Sequence, residues 1–189
     1  MLIDPTISVS CVLSQVSLLA PVQALSPDMD EEARRELAAR LFEEAYRMQT
    51  KGELEDAVDL YRKSIESFPT AEAFTFLGWA YSLMGRIDDA IAECHKAIEV
   101  DPMFGNPYND IGAYLLQKGE IDDAIPWLLR ALEAPRYESY CYPHMNLGRA
   151  YEARRRWLEA KEEYRKALQE NPEYRPARLG LVRLRAMLN

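Results

Sequence analysis

Cysteine is scarce: three residues in 189, at positions 11, 94 and 141. An odd, scattered set of that size excludes the disulfide framework of a small secreted domain and fits a reducing compartment, so a cytoplasmic location is expected. The two histidines, His95 and His144, lie far apart, which leaves no multi-histidine metal site. Eight glycines and eleven prolines are too few for a low-complexity chain. Lys and Arg number 23 against 31 Asp and Glu, for a net charge of -8. Binding to nucleic acid needs a basic footprint, so nucleic acid is not an expected partner. No integral membrane span is expected either, because none of the apolar stretches reaches the ~20 mostly apolar residues of a spanning helix.

What remains is a soluble globular composition, 48% hydrophobic and 29% charged, in a chain long enough to bury a sizeable core. Its charge is uneven. Residues 152–189 carry +4 and the remainder carries -12. Such asymmetry can steer an acidic partner to one end or bring two copies together head to tail, so self-association is kept open. Otherwise these charges are solvated helix faces, each weak singly.

Residues 1–28 differ from the rest. No charge lies between Asp4 and Asp28, and no Lys or Arg precedes Arg34. Val22-Gln23-Ala24 has the small-residue spacing of a signal-peptidase site, yet the positively charged start of a signal peptide is missing. A disordered tail, or a translation start at Met29, is the expectation. An exported or periplasmic location is the alternative. Helical patterning starts at Ser26-Pro27, a good N-cap followed by a residue suited to the first helical position.

From residue 29 onward the chain repeats itself. The segments GELEDAVDLYRKSIESFP, GRIDDAIAECHKAIEVDP, GEIDDAIPWLLRALEAP and RRWLEAKEEYRKALQENP align, with Ala57, Ala90, Ala124 and Ala160 in register at spacings of 33, 34 and 36. A second amphipathic stretch precedes each. Phe74, Leu77, Gly78 and Tyr81 fall at i, i+3, i+4, i+7, one helix face, as do Tyr108, Ile111, Gly112 and Leu115, then His144, Leu147, Gly148 and Tyr151. Each unit reads helix, glycine-containing turn, helix, proline stop. Glycine inside a helix costs ~1 kcal/mol against alanine, so three at equivalent places imply close backbone approach. Pro126, early in its helix, predicts a mild kink. Leu181, Leu184 and Leu188 mark a final amphipathic helix over the last repeat.

These residues resemble the tetratricopeptide repeat, a 34-residue helix–turn–helix with the pattern W-x2-L-G-x2-Y…A-x3-F…P. The resemblance covers residues ~38–174 and departs at Cys94, which stands where the family has Phe. It implies an all-α fold: a right-handed superhelical α-solenoid of four units (38–70, 71–104, 105–140 and 141–174) with residues 175–189 as a capping helix. It also implies a concave groove that binds a peptide or helix of another protein. By register, the groove would present Phe42, Tyr46 and Gln49, then Thr75, Trp79 and Ser82, then Asn106 and Asn109 with Asp110. Tyr142, Met145, Asn146 and Arg149 would follow. Trp79 with its aromatic neighbours has the composition of a binding hot spot, and the alternative is that Trp79 and Phe42 are ordinary core. Family members that grip acidic chaperone tails carry Lys, Asn and further basic residues at groove positions. Here Phe42, Tyr46, Asn106 and Asp110 occupy them, so a carboxylate clamp of that type is not expected.

No catalytic constellation is legible. Cys141 and His144 lie i, i+3, but two ligands are too few for zinc. Cys94 reads as a buried, inert thiol. No enzyme activity, metal or cofactor is expected. The leading expectation is a non-catalytic adaptor. An assembly or secretion chaperone that holds an apolar segment of an exported protein is the alternative.

Overall fold

The computed structural model describes residues 30–188; the expected tail, residues 1–28, lies outside them. Among the described residues nine helices follow in order: α1 (Glu31–Lys51), α2 (Leu54–Ser67), α3 (Ala71–Leu83), α4 (Ile87–Val100), α5 (Asn106–Lys118), α6 (Ile121–Glu133), α7 (Cys141–Ala153), α8 (Trp157–Glu170) and α9 (Arg175–Leu188). There is no strand among them, only an isolated parallel bridge between Phe104 and Arg136. The chain is an all-α helical repeat solenoid.

Local chemistry sets the helix ends. Asp30 caps α1 by accepting from the Ala33 amide at 2.8 Å, and Thr70 caps α3 by accepting from Ala73 at 3.1 Å. Within each of the first three hairpins the turn passes through a glycine in the left-handed region: Gly52 (φ 87°), Gly85 (φ 78°) and Gly119 (φ 83°). The fourth uses Arg155 at φ 58° instead. Acidic pairs open α2, α4 and α6, where the helix dipole favours them. α6 runs through Pro126 without interruption.

Hairpins α1–α2, α3–α4, α5–α6 and α7–α8 stack in sequence, with α9 on α8. The odd-numbered helices also approach one another closely in succession from α1 to α9, whereas the even-numbered backbones lie farther apart and are bridged by long side chains, as where His95 of α4 meets Trp127 of α6 edge-on with ring centroids 5.2 Å apart. The even layer is therefore splayed and the odd layer is the concave side. Close packing between layers rests on small residues. Ala57, Ala90, Ala124 and Ala160 are fully buried, and a Cβ placed on Gly148 would lie 2.3 Å from the Tyr164 ring.

One feature of the core differs from the sequence reading. Phe74, expected inward, is half-buried, with Lys96 over its ring. The buried aromatic of that helix is Phe76, which meets Phe42 at 5.0 Å, Tyr46 at 5.7 Å, Trp79 at 5.7 Å and Tyr61 at 6.2 Å between ring centroids. The α6–α7 link is pinned to the α4–α5 link. Arg136 donates its amide to Met103 and accepts from Gly105, both at 3.0 Å. Its guanidinium pairs with Glu72 and Asp101, each at 2.9 Å, and stacks on Phe104. Tyr137 of the same link is buried.

Candidate functional site on the concave face

The concave side is built by α1, α3, α5 and α7, whose parallel course sets equivalent residues side by side. Seven of the groove residues expected from register are half-buried there: Phe42, Tyr46, Asn106, Tyr142, Met145, Asn146 and Arg149. The other five are buried, which corrects the expectation that they line an open groove. Thr75 is 1% exposed and its hydroxyl donates to the Ala71 carbonyl at 2.7 Å. Ser82 donates to the Trp79 carbonyl at 2.8 Å. Gln49 accepts from the Tyr61 hydroxyl at 2.9 Å. Trp79 is core, edge-on to Phe76 and 6% exposed. Its indole Nε1 has no hydrogen-bond partner among the described residues. Around Trp79 the physical reason is Phe76, on whose ring Trp79 packs together with Phe42 and Tyr46 of α1.

Asn109 is also buried, yet its polar atoms are the centre of a ladder along the concave face. Asn109 donates to Asp110 at 3.2 Å and accepts from the Asn146 amide of α7 at 3.1 Å. Arg149 in turn donates to the Asn146 carbonyl oxygen at 3.3 Å. The ladder therefore runs from an acid on α5 to a guanidinium on α7, with Tyr142 and Met145 beside it. Tyr142 packs edge-on against Tyr174, 5.4 Å between centroids.

Asp110 sits in an unusual setting. Burial pushes its carboxyl up to about 7, partly opposed by the Asn109 hydrogen bond. Cys94, Tyr114 and Tyr137 are within its electrostatic reach. Burial also pushes the Cys94 thiol well above its ordinary value, which makes it a poor nucleophile. His144 is half-buried with Nδ1 2.7 Å from Glu163, while Cys141 is buried. Among the described residues, no three His, Cys, Asp or Glu side chains converge as a metal site would need. None of the described helices is long and apolar enough to cross a membrane.

Sequence reasoning missed a group at the C-terminal end of the concave face. Glu152 of α7 accepts two hydrogen bonds from Arg183 of α9, at 2.6 and 2.7 Å, and one from the Tyr164 hydroxyl at 2.6 Å. The hydrogen bonds from Arg183 hold the Glu152 carboxyl below the usual carboxylate range, against the upward push of burial and helped by the Tyr164 hydroxyl. No repeat pattern could have flagged Arg183, because it lies beyond the last unit.

Comparison with known proteins agrees with this architecture. Two models described as the tetratricopeptide repeat match the chain, one over residues 141–174 and the other over 42–102 and 77–139. The small glutamine-rich tetratricopeptide repeat-containing protein 2 of Mycosarcoma maydis is 31% identical over 78 residues, 41% of this chain and 22% of that protein. The matched part thus spans about a fifth of that relative's length. The structure of pilF from Pseudomonas aeruginosa superposes with a TM-score of 0.75 at 24% identity, over 80% of this chain and 68% of that one. The first TPR of Spaghetti (RPAP3), solved bound to the HSP90 peptide SRMEEVD, does so with a TM-score of 0.59 at 23% identity, over 63% of this chain and 95% of that one. With four helical hairpins in register and family models covering most of its length, this chain belongs to the tetratricopeptide repeat family.

Proposed function

We propose that the chain is a non-catalytic adaptor that holds a peptide or helical segment of a protein partner against the α5–α7 stretch of its concave face. The observation that carries this reading is the Asp110–Asn109–Asn146–Arg149 ladder. Asparagine offers both a donor and an acceptor, the pair a peptide backbone needs. Tyr142 and Met145 supply apolar surface beside it, and aromatic, Met and Arg side chains are the types enriched where proteins meet. The peptide bound by the RPAP3 domain supports peptide capture by this fold in general. The ladder differs from a site for acidic tails, because it ends in an acid, Asp110, where such a site needs a cation. The aromatic end at Phe42 and Tyr46 packs on Phe76 and contributes rim contacts only.

The test is site-specific photo-crosslinking in cells. A benzophenone amino acid at Asn146 should capture a discrete partner, while the same group at the exposed Glu133 on α6 should not. Asn146→Ala combined with Arg149→Ala should then weaken the purified pair. Equal capture from both positions, or unchanged affinity in the double variant, would move the site off the concave face.

A further inference from the structure

The fourth hairpin breaks the pattern of the other three at one place. Its turn carries Arg155 where the others carry glycine. Holding a non-glycine residue in the left-handed region is strained, and strain of that kind concentrates at functional sites. Three residues on, Leu158 is 79% exposed. The aligned residues Glu55, Asp88 and Asp122 of the other units are all acidic. An acid at the helix start is favoured by the dipole, so the leucine forgoes a stabilising charge and bares an apolar side chain. Both departures lie within two residues of Trp157 in the chain, and Trp157 lines a cleft of about 380 Å³ between α7, α8 and α9. Its wall is Trp157, Met187 and Ala153, with Arg149, Arg183 and Glu152 at its polar edge. Met187 is itself 57% exposed.

The electrostatics of this edge are cationic. Glu152 is already saturated by Arg183 and Tyr164. Arg154 is paired with Asp122, and Arg156 with Glu159. The Arg155 side chain makes no ion pair or hydrogen bond among the described residues. The surrounding segment, residues 152–189, carries the +4 of the chain.

We infer that the Arg155–Leu158 edge and its cleft form a second binding site, for an acidic peptide that carries a large apolar side chain. The apolar side chain enters between Trp157 and Met187, and carboxylates beside it meet Arg155 and the outer face of Arg183. Charge selects this occupant: a basic peptide would oppose three guanidinium groups, and an uncharged one would leave Arg155 unused. The site shares only Arg149 with the concave ladder and does not depend on the groove reading.

Two capped octapeptides make the test, identical in one central Leu-Phe pair and flanked by glutamates in one and lysines in the other. Each is titrated into the ¹⁵N-labelled full chain while the indole N–H signals of its three tryptophans are followed. The glutamate peptide should shift the Trp157 signal, with affinity that falls as salt rises. Arg155→Gly with Leu158→Asp restores the pattern of the other units, so the fold, checked by circular dichroism and melting, should persist. Binding should weaken by about tenfold or more, the scale of losing an apolar anchor together with a charge. Absence of glutamate-peptide binding, equal binding of the lysine peptide, or unchanged affinity in the double variant would each overturn the proposal. So would a dimer in sedimentation that Leu158→Asp dissolves, which would give the surface to a second copy of the chain.

Discussion

Gly112 of α5 lies so close to Leu128 of α6 that a Cβ on the glycine would sit 2.5 Å from the leucine Cγ and Cδ2. Leu128 is fully buried and its neighbour Ala124 offers no slack, with the Ala124 carbonyl oxygen 3.3 Å from the same point. A larger residue must push the two helices apart. Gly112→Leu is therefore expected to destabilise by roughly 1–3 kcal/mol, the usual cost of overpacking a close contact. Chemical denaturation monitored by circular dichroism measures it. A stability gain would mean that α5 and α6 do not meet here.

Trp79 makes a different kind of prediction. It is surrounded by core and lies edge-on to Phe76, so Trp79→Ala leaves a cavity. Removal of a buried Trp or Phe typically costs about 3–5 kcal/mol. Trp79→Phe should cost clearly less, because the indole N–H it deletes has no partner among the described residues. A melting series of the three proteins decides the matter. An alanine variant that melts like the wild type would return Trp79 to the solvent side.

The contrast between these two residues shows which parts of the fold the sequence makes legible. Gly112 and Leu128 belong to one hairpin, so their contact recurs with the repeat and can be read from spacing. The buried alanines are legible for the same reason. The fate of Trp79 depends on Phe42 and Tyr46, which come from the preceding unit, and on Phe76, which has no place in the repeat pattern. Register offers Thr75 of α3 and Gln49 of α1 as groove candidates. It could not show that their side chains turn to the Ala71 carbonyl and the Tyr61 hydroxyl. The Arg136 clamp on Glu72 and Asp101 joins three separate segments, and the Glu152–Arg183 pair joins the last unit to the cap. Neither has a periodic signature. The polar ladder has no such signature either, because the bonding of Asn109, Asn146 and Arg149 to one another rests on the packing of α5 on α7.

Asp110 gives a pH dependence with a definite sign. Its folded-state pKa is raised to about 7 by burial, above the ordinary 3.8. Between those values the folded state keeps the proton that the unfolded state loses. The stabilising contribution is therefore full below about pH 4 and is lost as pH rises through about 7, then stays constant. Asp110→Asn mimics the neutral form. It should melt higher than the wild type above pH 7, and the gap should close toward pH 4. The difference between the two proteins is the readout, because Glu152, whose pKa is lowered, contributes in the opposite direction in both. A gap independent of pH would mean that Asp110 is ionised throughout the range.

The last prediction concerns the Glu152–Arg183 pair, which fastens α9 to α7. The Glu152 side chain keeps only 16% of its exposure, whereas Arg183 keeps 51%. Loss of the arginine therefore harms the glutamate more than the reverse. Arg183→Ala leaves a largely buried carboxylate with the Tyr164 hydroxyl as its remaining close donor, and an underpaired buried acceptor costs about 1–3 kcal/mol. The cost should fall on the end of the array, because solenoid units are stabilised chiefly by their neighbours. Hydrogen exchange should rise in α9 and in the final turn of α7, while α3–α6 stay protected. Adding Glu152→Gln should recover part of the loss, since the amide tolerates the missing cation better than the carboxylate does. The pair also has a pH signature. A carboxyl held below its ordinary value contributes stability above that value and loses it as pH falls through the lowered one. Wild-type protection of α9 should therefore decline on acidification below about pH 4, in the range where carboxylates protonate, and the double variant should not share that decline. Exchange that rises evenly through all nine helices of the described chain would instead show that the array unfolds as one unit and that the cap is not separately fastened.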